Sequence, residues 1–500
     1  MKTNLLKKQV FLLFLGFLGM IAFGLNWHWA IAAWLTPVFL LRYTRNSKTL
    51  GFLLFVLIAT IAGIISRTSL SVFSPPIAYV LNGVFFGISY SSAYFIDRLL
   101  YKENCGFYTT FIYPAAVVLI EYLNSFYMGT WGSVAHTQYP FHQLTQIVSF
   151  TGLFGLSFIV SWFGSTINWY YENRTNVSSR RKSILIYGGV VLLVFVFGQI
   201  RINSFPDDAP TVKIAAISSD PGLQNVFGYD FKALKAYTSK AKGKIPERIF
   251  SDKTVIDQAI KNTANAAQQD AKIIVWNEYS LILNSKQVAA LITKIKAIAI
   301  QNNAYILIAY LEQNTTSKPK PLNNISILIK PDGSIGWEYL KSFLIPQSES
   351  VIINVGDFKV PFLDTEYGRL GNVICYDGDI PNLTEQAGQK SIDIMLIPAF
   401  DWKEISPFHS QMSSFTAIEN GFSLIRPNGS GSVAVYDYLG KVIAEMNTFD
   451  SDDKLLYAEV LIESTTTVFS KIGNVFVYAC LLFLILALGL RFVKNKDKIS

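Results

Sequence analysis

Charge is scarce in this chain. Of its 500 residues, 16% are Asp, Glu, Lys or Arg, against 51% hydrophobic and 14% aromatic. That balance argues against a wholly soluble protein and for an integral membrane protein with a soluble part. Cysteine is scarcer still. Cys105 in a short polar loop, Cys375 in the soluble part and Cys480 in an apolar run cannot build a disulfide framework. The four histidines, His28, His136, His142 and His409, form no His/Cys metal spacing. With no Gly-rich phosphate loop either, no cofactor is implied. The formal charge of +8 would suit nucleic acid as a partner. Its lysines and arginines outside the soluble part cluster beside hydrophobic runs, however, so membrane topology explains the excess and no nucleic-acid partner is expected.

What is abundant is apolar sequence. Hydrophobic runs centre on 9–24, 27–42, 50–66, 76–96, 107–127, 152–171, 184–201 and 472–493, each near the ~20 residues a bilayer needs. This predicts a transmembrane domain of about seven spans over 1–201, a soluble domain over 202–466, and a last span with its tail over 467–500. The first two runs are short and separated by Gly24-Leu-Asn-Trp-His28, which suggests a tight helical hairpin. The start has the basic flank of a signal peptide, but further spans follow and no small-residue cleavage site appears, so a retained anchor is expected. Lys2, Lys7 and Lys8, then Arg42, Arg45 and Lys48, Arg98 and Lys102, and Arg174 with Arg180, Arg181 and Lys182 flank alternate ends of the spans. Arg491, Lys494, Lys496 and Lys498 follow the last one, whereas Arg67 stands alone and Met128–Ser149 has no Asp, Glu, Lys or Arg. The positive-inside rule then places both termini in the cytoplasm and the soluble domain outside. Glu121 falls inside a span, where a charge is costly, and is expected to face the bundle or a polar contact. The uncharged, aromatic 128–149 stretch is expected to form a membrane-interface surface.

From Val212 the pattern becomes short β runs alternating with helical stretches. Val212–Ile217, Ile273–Trp276, Tyr305–Ala309, Ile325–Lys330, Ser423–Arg426 and Val433–Tyr436 read as strands. Residues 255–271, 286–302 and 405–421 read as helices, and Pro331-Asp-Gly-Ser334 and Tyr438-Leu-Gly-Lys441 as hairpin turns. The alternation predicts an α/β layered domain.

Three of its apolar runs end in reactive side chains. Ile273-Ile-Val-Trp-Asn-Glu278 ends in a carboxylate, Trp337-Glu-Tyr-Leu-Lys341 in an ammonium, and Gly371-Asn-Val-Ile-Cys-Tyr-Asp377 carries a thiol. Each has a bland reading: Cys375 as a small core residue, Glu278 as a solvated strand end, Lys341 as a surface lysine. Together, at the ends of neighbouring strands, they can build a cysteine acyl-transfer site. An ammonium favours the thiolate, a carboxylate of raised pKa can take and return the thiol proton, and the Tyr-Asp-Gly turn can point backbone N–H groups at an oxyanion. A papain-like pair of Cys375 with His409 is an alternative that the setting of His409 does not support.

At these residues the chain resembles the nitrilase (carbon–nitrogen hydrolase) superfamily, over about residues 211–462. The resemblance rests on the Glu after a Trp-bearing strand, on Tyr-x-Lys before Leu-Ile-Pro346, and on Ile-Cys-Tyr-Asp377. In the apolar part, Glu121-Tyr-Leu-Asn-Ser125, Gly129-Thr-Trp-Gly-Ser-Val-Ala-His-Thr-Gln138 and Gly152-Leu-Phe-Gly-Leu-Ser-Phe158 resemble stretches of the apolipoprotein N-acyltransferase family. So do His409-Ser-Gln-Met412, Ala417-Ile-Glu419, Arg426 and Gly431. The resemblance implies a multi-span helical membrane domain joined to an αββα sandwich. It implies Glu278 as general base, Lys341 as oxyanion stabiliser, Cys375 as nucleophile and Glu349 as a second essential glutamate, with Tyr376, Asp377 and Trp402 near the substrate. It also implies a phospholipid acyl donor, a diacylglyceryl-apolipoprotein acceptor, a monomer, and a bacterial inner membrane with the catalytic domain in the periplasm. The chain departs from the family in several places. The family's Pro before the catalytic Glu is Asn277, its Phe-Gly-Glu-Tyr is Gln347-Ser-Glu-Ser350, its Cys-Tyr-Glu is Cys375-Tyr-Asp377, and its Asn-Asp-Ala-Trp survives only as Trp402. The Tyr-Asp-Gly-Asp379 sequence is closer to soluble amidases, which keeps a membrane-tethered C–N hydrolase as an alternative. A catalytically weak lipoprotein-binding homologue is a second one.

Overall fold

A computed structural model describes residues 2–25, 29–68, 76–101, 106–173, 176–205, 209–219, 245, 247–314 and 319–496. The chain divides into two compact units, Met1–Phe205 with Ile472–Ser500, and Pro206–Lys471.

The first unit is helical: α1 Lys2–Leu25, α2 Ala30–Asn46, α3 Thr49–Ile65, α4 Pro76–Leu100, α5 Ile112–Met128, α6 Leu153–Glu172 and α7 Val177–Asn203, with a last helix Val475–Lys496. Leu6–Gly24, Phe107–Met128 and Val177–Asn203 are long and apolar enough to cross a membrane, and Thr49–Ile65 and Val475–Arg491 are apolar but shorter. The predicted hairpin link at 26–28 and Cys105 lie outside the described residues. Small residues set the helix contacts. A Cβ on Gly16 would lie 2.1 Å from Leu40, and one on Gly19 would lie 2.1 Å from Thr36, so α1 rests directly on α2. Glu121 meets the expectation of a polar contact: it accepts from Ser133 Oγ and Ser157 Oγ at 2.7 Å each and from the Val134 amide at 2.9 Å. The stretch after it folds into short turns, Val134–Gln138, His142–Thr145 and Val148–Thr151. Arg45 grips Asp97 through two bonds of 2.8 Å, which ties α2 to α4.

The second unit holds thirteen strands among its described residues: β1 Thr211–Ile217, β2 Ile273–Trp276, β3 Ile282–Leu283, β4 Tyr305–Gln313, β5 Leu322–Ile329, β6 Ile335–Leu340, β7 Phe362–Thr365, β8 Gly368–Asn372, β9 Ile394–Leu396, β10 Ser423–Arg426, β11 Ser432–Tyr436, β12 Val442–Asn447 and β13 Leu455–Leu461. One sheet runs β13-β1-β2-β4-β5-β6 with β3 against β4, and the other runs β12-β11-β10-β9-β8-β7. Alternation decides which side chains meet. Ile214, Ala216, Ile273, Val275 and Leu307 of the first sheet share a buried core with Leu370, Met395, Leu424, Val433 and Val435 of the second. The opposite side chains, Ala215, Ile217, Ile274, Trp276, Ile306 and Ile308, form another core with α8 Lys253–Gln268 and α9 Ser285–Asn302. Each fully buried Ile or Leu contributes about 1.5–3 kcal/mol, so a register slip in the first sheet would forfeit both cores and one in the second sheet the shared core. The helices α10 Pro381–Gln389 and α11 Phe408–Asn420 pack with the second sheet, through Leu383, Ala387 and Ala417. The result is the α/β sandwich with helical outer layers that the sequence predicts.

One expectation needs correction. The three reactive groups do not end neighbouring strands. Glu278 follows β2 and Lys341 follows β6, with β4 and β5 between them, while Cys375 follows β8 of the other sheet. Periodicity identifies a strand and its faces; which strands lie side by side is set by crossovers that leave no periodic mark.

Candidate active site

Each side chain reaches the site from a strand's end. β2 runs Ile-Ile-Val-Trp, buried throughout, and then turns at Asn277. Asn277 knots that turn. Its Oδ1 accepts from the Ser219 amide at 2.8 Å and Ser280 Oγ at 2.9 Å, while its Nδ2 donates to the Ser219 and Glu278 carbonyls at 2.9 and 2.8 Å. The departure from the family's Pro therefore substitutes a hydrogen-bonded turn for a stiff one. Tyr279 follows with φ +57°, a left-handed conformation that turns the chain sharply just after Glu278.

Glu278, Lys341 and Glu349 form one buried chain. Lys341 Nζ donates to Glu278 Oε1 and to Glu349 Oε1 at 2.8 Å each. Asn324 Nδ2 donates to Glu278 Oε1 at 2.7 Å, the Ile345 amide to Glu349 Oε2 at 2.9 Å, and the Tyr279 hydroxyl to Glu349 Oε1. Lys341 is 0% exposed, Glu278 1% and Glu349 2%, so water does not screen this chain and its hydrogen bonds are correspondingly strong. Burial pushes the Glu278 carboxyl above the usual carboxylate range, opposed by Lys341 and reinforced by Glu349. Burial alone would lower Lys341, but the two glutamates outweigh it and hold the ammonium charged.

Cys375 opens a short 3-10 turn, Cys375–Asp379, with φ +47°. A non-glycine residue in that region costs on the order of 1–2 kcal/mol, a strain that recurs where a side chain must be thrust into a site. The thiol is 4% exposed. Burial first, then Glu278, push its pKa well up, and Lys341 only partly offsets them. The ammonium does act in the expected direction, toward the thiolate, but burial and the glutamate outweigh it, which favours a thiol at rest. The Cys375 amide donates to the Pro398 carbonyl at 2.8 Å and the Asp377 amide to Ile374 at 3.0 Å, so neither points at a substrate.

The other expected residues divide. Tyr376 is buried against Phe343, ring centroids 5.2 Å apart. Asp377 turns into the protein: it accepts from the Phe343 amide at 2.6 Å, Tyr339 Oη at 2.7 Å, and the amides of Ser342 and Ile374 at 3.2 Å. It staples the loop after Lys341 to the turn that carries Cys375. Trp402 stands half-buried, one residue beyond Asp401.

A second polar group adjoins the thiol, and the motif reading did not assemble it. His409 on α11 lies with Nε2 2.8 Å from Asp379 Oδ2 and Nδ1 2.6 Å from Asp401 Oδ1. Arg426, ending β10, donates to both oxygens of Asp401 at 2.8 and 3.0 Å, and Asn428 Nδ2 donates to Asp401 Oδ2 at 2.6 Å. Cys375, Asp401 and His409 each place one donor atom within 4.8 Å of the others, close enough in principle to hold a metal ion. Both histidine nitrogens already face carboxylates, so the group is a self-neutralised ion-pair cluster. Burial would lower the His409 pKa, but Asp379 and Asp401 raise it to about 9, so the ring is an imidazolium and a poor base for the thiol. The papain-like alternative loses its ground. The clue in the sequence was an arginine closing an otherwise apolar run, Ser423-Leu-Ile-Arg426, because a buried arginine needs a carboxylate.

Two family models match the chain: carbon-nitrogen hydrolase over residues 242–468, and the apolipoprotein N-acyltransferase N-terminal domain over 15–166. Among curated proteins, the apolipoprotein N-acyltransferase of Geobacter metallireducens is 22% identical over 418 residues, 78% of this chain and 74% of that one. That of Rickettsia prowazekii is 22% identical across 80% of this chain and 81% of its own length. That of Borreliella burgdorferi is 24% identical, over 74% and 72%. A solved amidase from Nesterenkonia sp. covers 50% of this chain and 91% of its own at 16% identity, with a TM-score of 0.39, too slight a likeness to carry weight.

Proposed function

Since the chain belongs to the apolipoprotein N-acyltransferase family, we propose that it moves an acyl chain from a phospholipid, through a thioester on Cys375, to the N-terminal amine of a diacylglyceryl-cysteine apolipoprotein. As the Cys375 sulfur attacks the ester carbonyl, its proton passes to Glu278, whose raised pKa suits it to accept. Lys341 and the Tyr376 amide stabilise the oxyanion. The C–O bond then breaks, and the lysophospholipid leaves with the proton returned by Glu278. The lipoprotein amine attacks the thioester, Glu278 takes its proton, the C–S bond breaks, and the sulfur is reprotonated as the amide forms. Glu349 holds Lys341 from the far side. Trp402 is assigned to the substrate side, and no cofactor takes part.

The observation that carries this reading is the fully buried Glu278–Lys341–Glu349 chain, with its 2.8 Å contacts, acting electrostatically on a strained cysteine. Exclusion of water protects a thioester until an amine arrives. The apolar helices fit a membrane enzyme whose two substrates are both lipid-anchored. We take the enzyme to work as a monomer in the bacterial inner membrane, with residues 202–466 in the periplasm.

Incubating the purified protein with a palmitoyl phospholipid and weighing the Cys375 peptide by mass spectrometry tests the scheme. A palmitoyl thioester that is lost in Cys375→Ala is expected. No adduct together with turnover of a small amide would make the protein a hydrolase, and no adduct with no turnover would make it a lipoprotein-binding protein.

A further inference from the structure

The turn that carries the nucleophile is strained at its first residue, so something must hold its far end. Asp377 anchors the middle of the turn to the Lys341 loop. Its last residue, Asp379, is 4% exposed and meets His409 Nε2 at 2.8 Å. His409 is 3% exposed, and its other nitrogen meets Asp401, which Arg426 and Asn428, both 0% exposed, grip from β10 and the loop beyond it. Asp401 also donates its amide to Asn428 Oδ1 at 2.9 Å, so its carboxylate is fixed from both the main-chain and side-chain sides.

We propose that His409 is a positioning residue for the acyl-transfer reaction: by bridging Asp379 to the Arg426-held Asp401, it fixes the far end of the Cys375–Asp379 turn and with it the direction of attack of the sulfur. Two features favour a positioning role over simple packing. Both imidazole nitrogens face carboxylates and both Asp401 oxygens receive donors, and the bridge joins the nucleophile turn, the loop after β9, and β10. The sulfur also lies within 4.8 Å of a His409 nitrogen and an Asp401 oxygen, so a shift of the bridge is a shift of the reacting atom's surroundings. The role presupposes Cys375 as the acyl-accepting nucleophile of the proposed function. It does not depend on which ester donates the acyl group.

The two imidazole nitrogens can be separated by amide variants. In His409→Gln the side-chain amide can stand where Nε2 stood and keep a donor for Asp379. In His409→Asn the amide reaches Asp401 but is too short for Asp379. The full-length protein in detergent is mixed rapidly with p-nitrophenyl butyrate. Sulfur–carbon bond formation releases p-nitrophenolate in a burst whose amplitude counts folded sites and whose rate reports the attack.

His409→Asn is expected to slow the burst about 100-fold at unchanged amplitude, the cost of roughly an ångström of misplacement. His409→Gln should remain within about tenfold of the parent, as for loss or weakening of one hydrogen bond. Asp379→Asn, nearly isosteric, should slow the burst like His409→Asn, and it decides the matter if the histidine variants do not fold. A parent-like rate in Asp379→Asn or His409→Asn, equal losses in the Asn and Gln variants, or a loss confined to amplitude would overturn the proposal. A parent protein that gives a Cys375 burst with this ester but no thioester from phospholipid would instead refute the phospholipid reading and leave the positioning role standing.

Discussion

Asp377 has no exposed surface, and its two oxygens receive the amides of Ser342, Phe343 and Ile374 and the hydroxyl of Tyr339. Every neighbour is a donor, so a carboxylate fits and an amide does not. Asp377→Asn would set an NH2 group against a backbone N–H and lower stability by roughly 2 kcal/mol at pH 8, the cost of an unmet buried donor. Thermal unfolding of the detergent-solubilised protein should show this as a reduced Tm, and an unchanged Tm would mean the staple bears no weight. The glutamate found here in the family is not an easy exchange either, since an extra methylene in a filled site costs about 1–3 kcal/mol. This residue also marks the limit of what could be read from the chain. Glu278, Lys341 and Cys375 were legible because each ends an apolar run, where a charge or thiol stands out. The direction in which Asp377 points was not, because a residue two places after the nucleophile can face substrate or protein with the same sequence. Asp379, Asp401 and Asn428 escaped for a different reason: they join His409 and Arg426 from separate segments, and no spacing links them.

At the scale of elements, the strands were legible wherever apolar residues ran on or alternated, as in Val212–Ile217 and Ile273–Trp276, and the two hairpin turns followed from Asp-Gly and Leu-Gly. Strand neighbours were not legible, and neither was the way the helices of the first unit touch. There, Gly83 and Gly87 lie one turn apart on α4, facing α3. A Cβ on Gly83 would lie 2.6 Å from the Ile64 Cα, one on Gly87 2.4 Å from the Thr60 Cα, and one on Gly63 2.5 Å from the Gly83 carbonyl oxygen. These are backbone atoms, which cannot swing away as a flexible side chain would. Between apolar helices in a bilayer, where burial gives no hydrophobic drive, such close approach supplies much of the attraction. Gly87→Leu should therefore force α3 and α4 apart and lower the midpoint of thermal aggregation in detergent by several degrees, on the order of the 1–3 kcal/mol expected for overpacking. Gly188→Leu on α7, with nothing within 4 Å, is the matched control and should leave the midpoint unchanged. Equal midpoints for the two variants would mean that the glycine seam does not hold these helices together.

For the whole molecule, the positive-inside rule predicts the side of the membrane taken by the soluble part from where positive charge clusters. Not every arginine counts equally. Arg45 is neutralised by Asp97 at 2.8 Å, and Arg42 meets Glu172 at 3.2 Å, so the end of α2 casts a weaker vote than its sequence suggests. Arg180, Arg181 and Lys182 at the start of α7 carry the argument, because Val177–Asn203 is the most hydropathic of the three long apolar helices and ends three residues before the second unit begins. If the positive-inside rule holds at these three clustered charges, it predicts the C-terminal end of α7, and the 206–471 unit after it, on the side away from the cytoplasm. The same rule predicts that the last helix returns the chain, with Arg491 and the lysines beyond it in the cytoplasm. In a Cys105→Ala background, a cysteine at exposed Asp452 should react with a membrane-impermeant maleimide in intact spheroplasts, while one at exposed Ser178 should react only after permeabilisation. The reverse pattern would place the thioester chemistry in the cytoplasm. Labelling of both sites in intact spheroplasts would mean that α7 does not cross, and the rule would have failed at the helix on which it had the most charge to act.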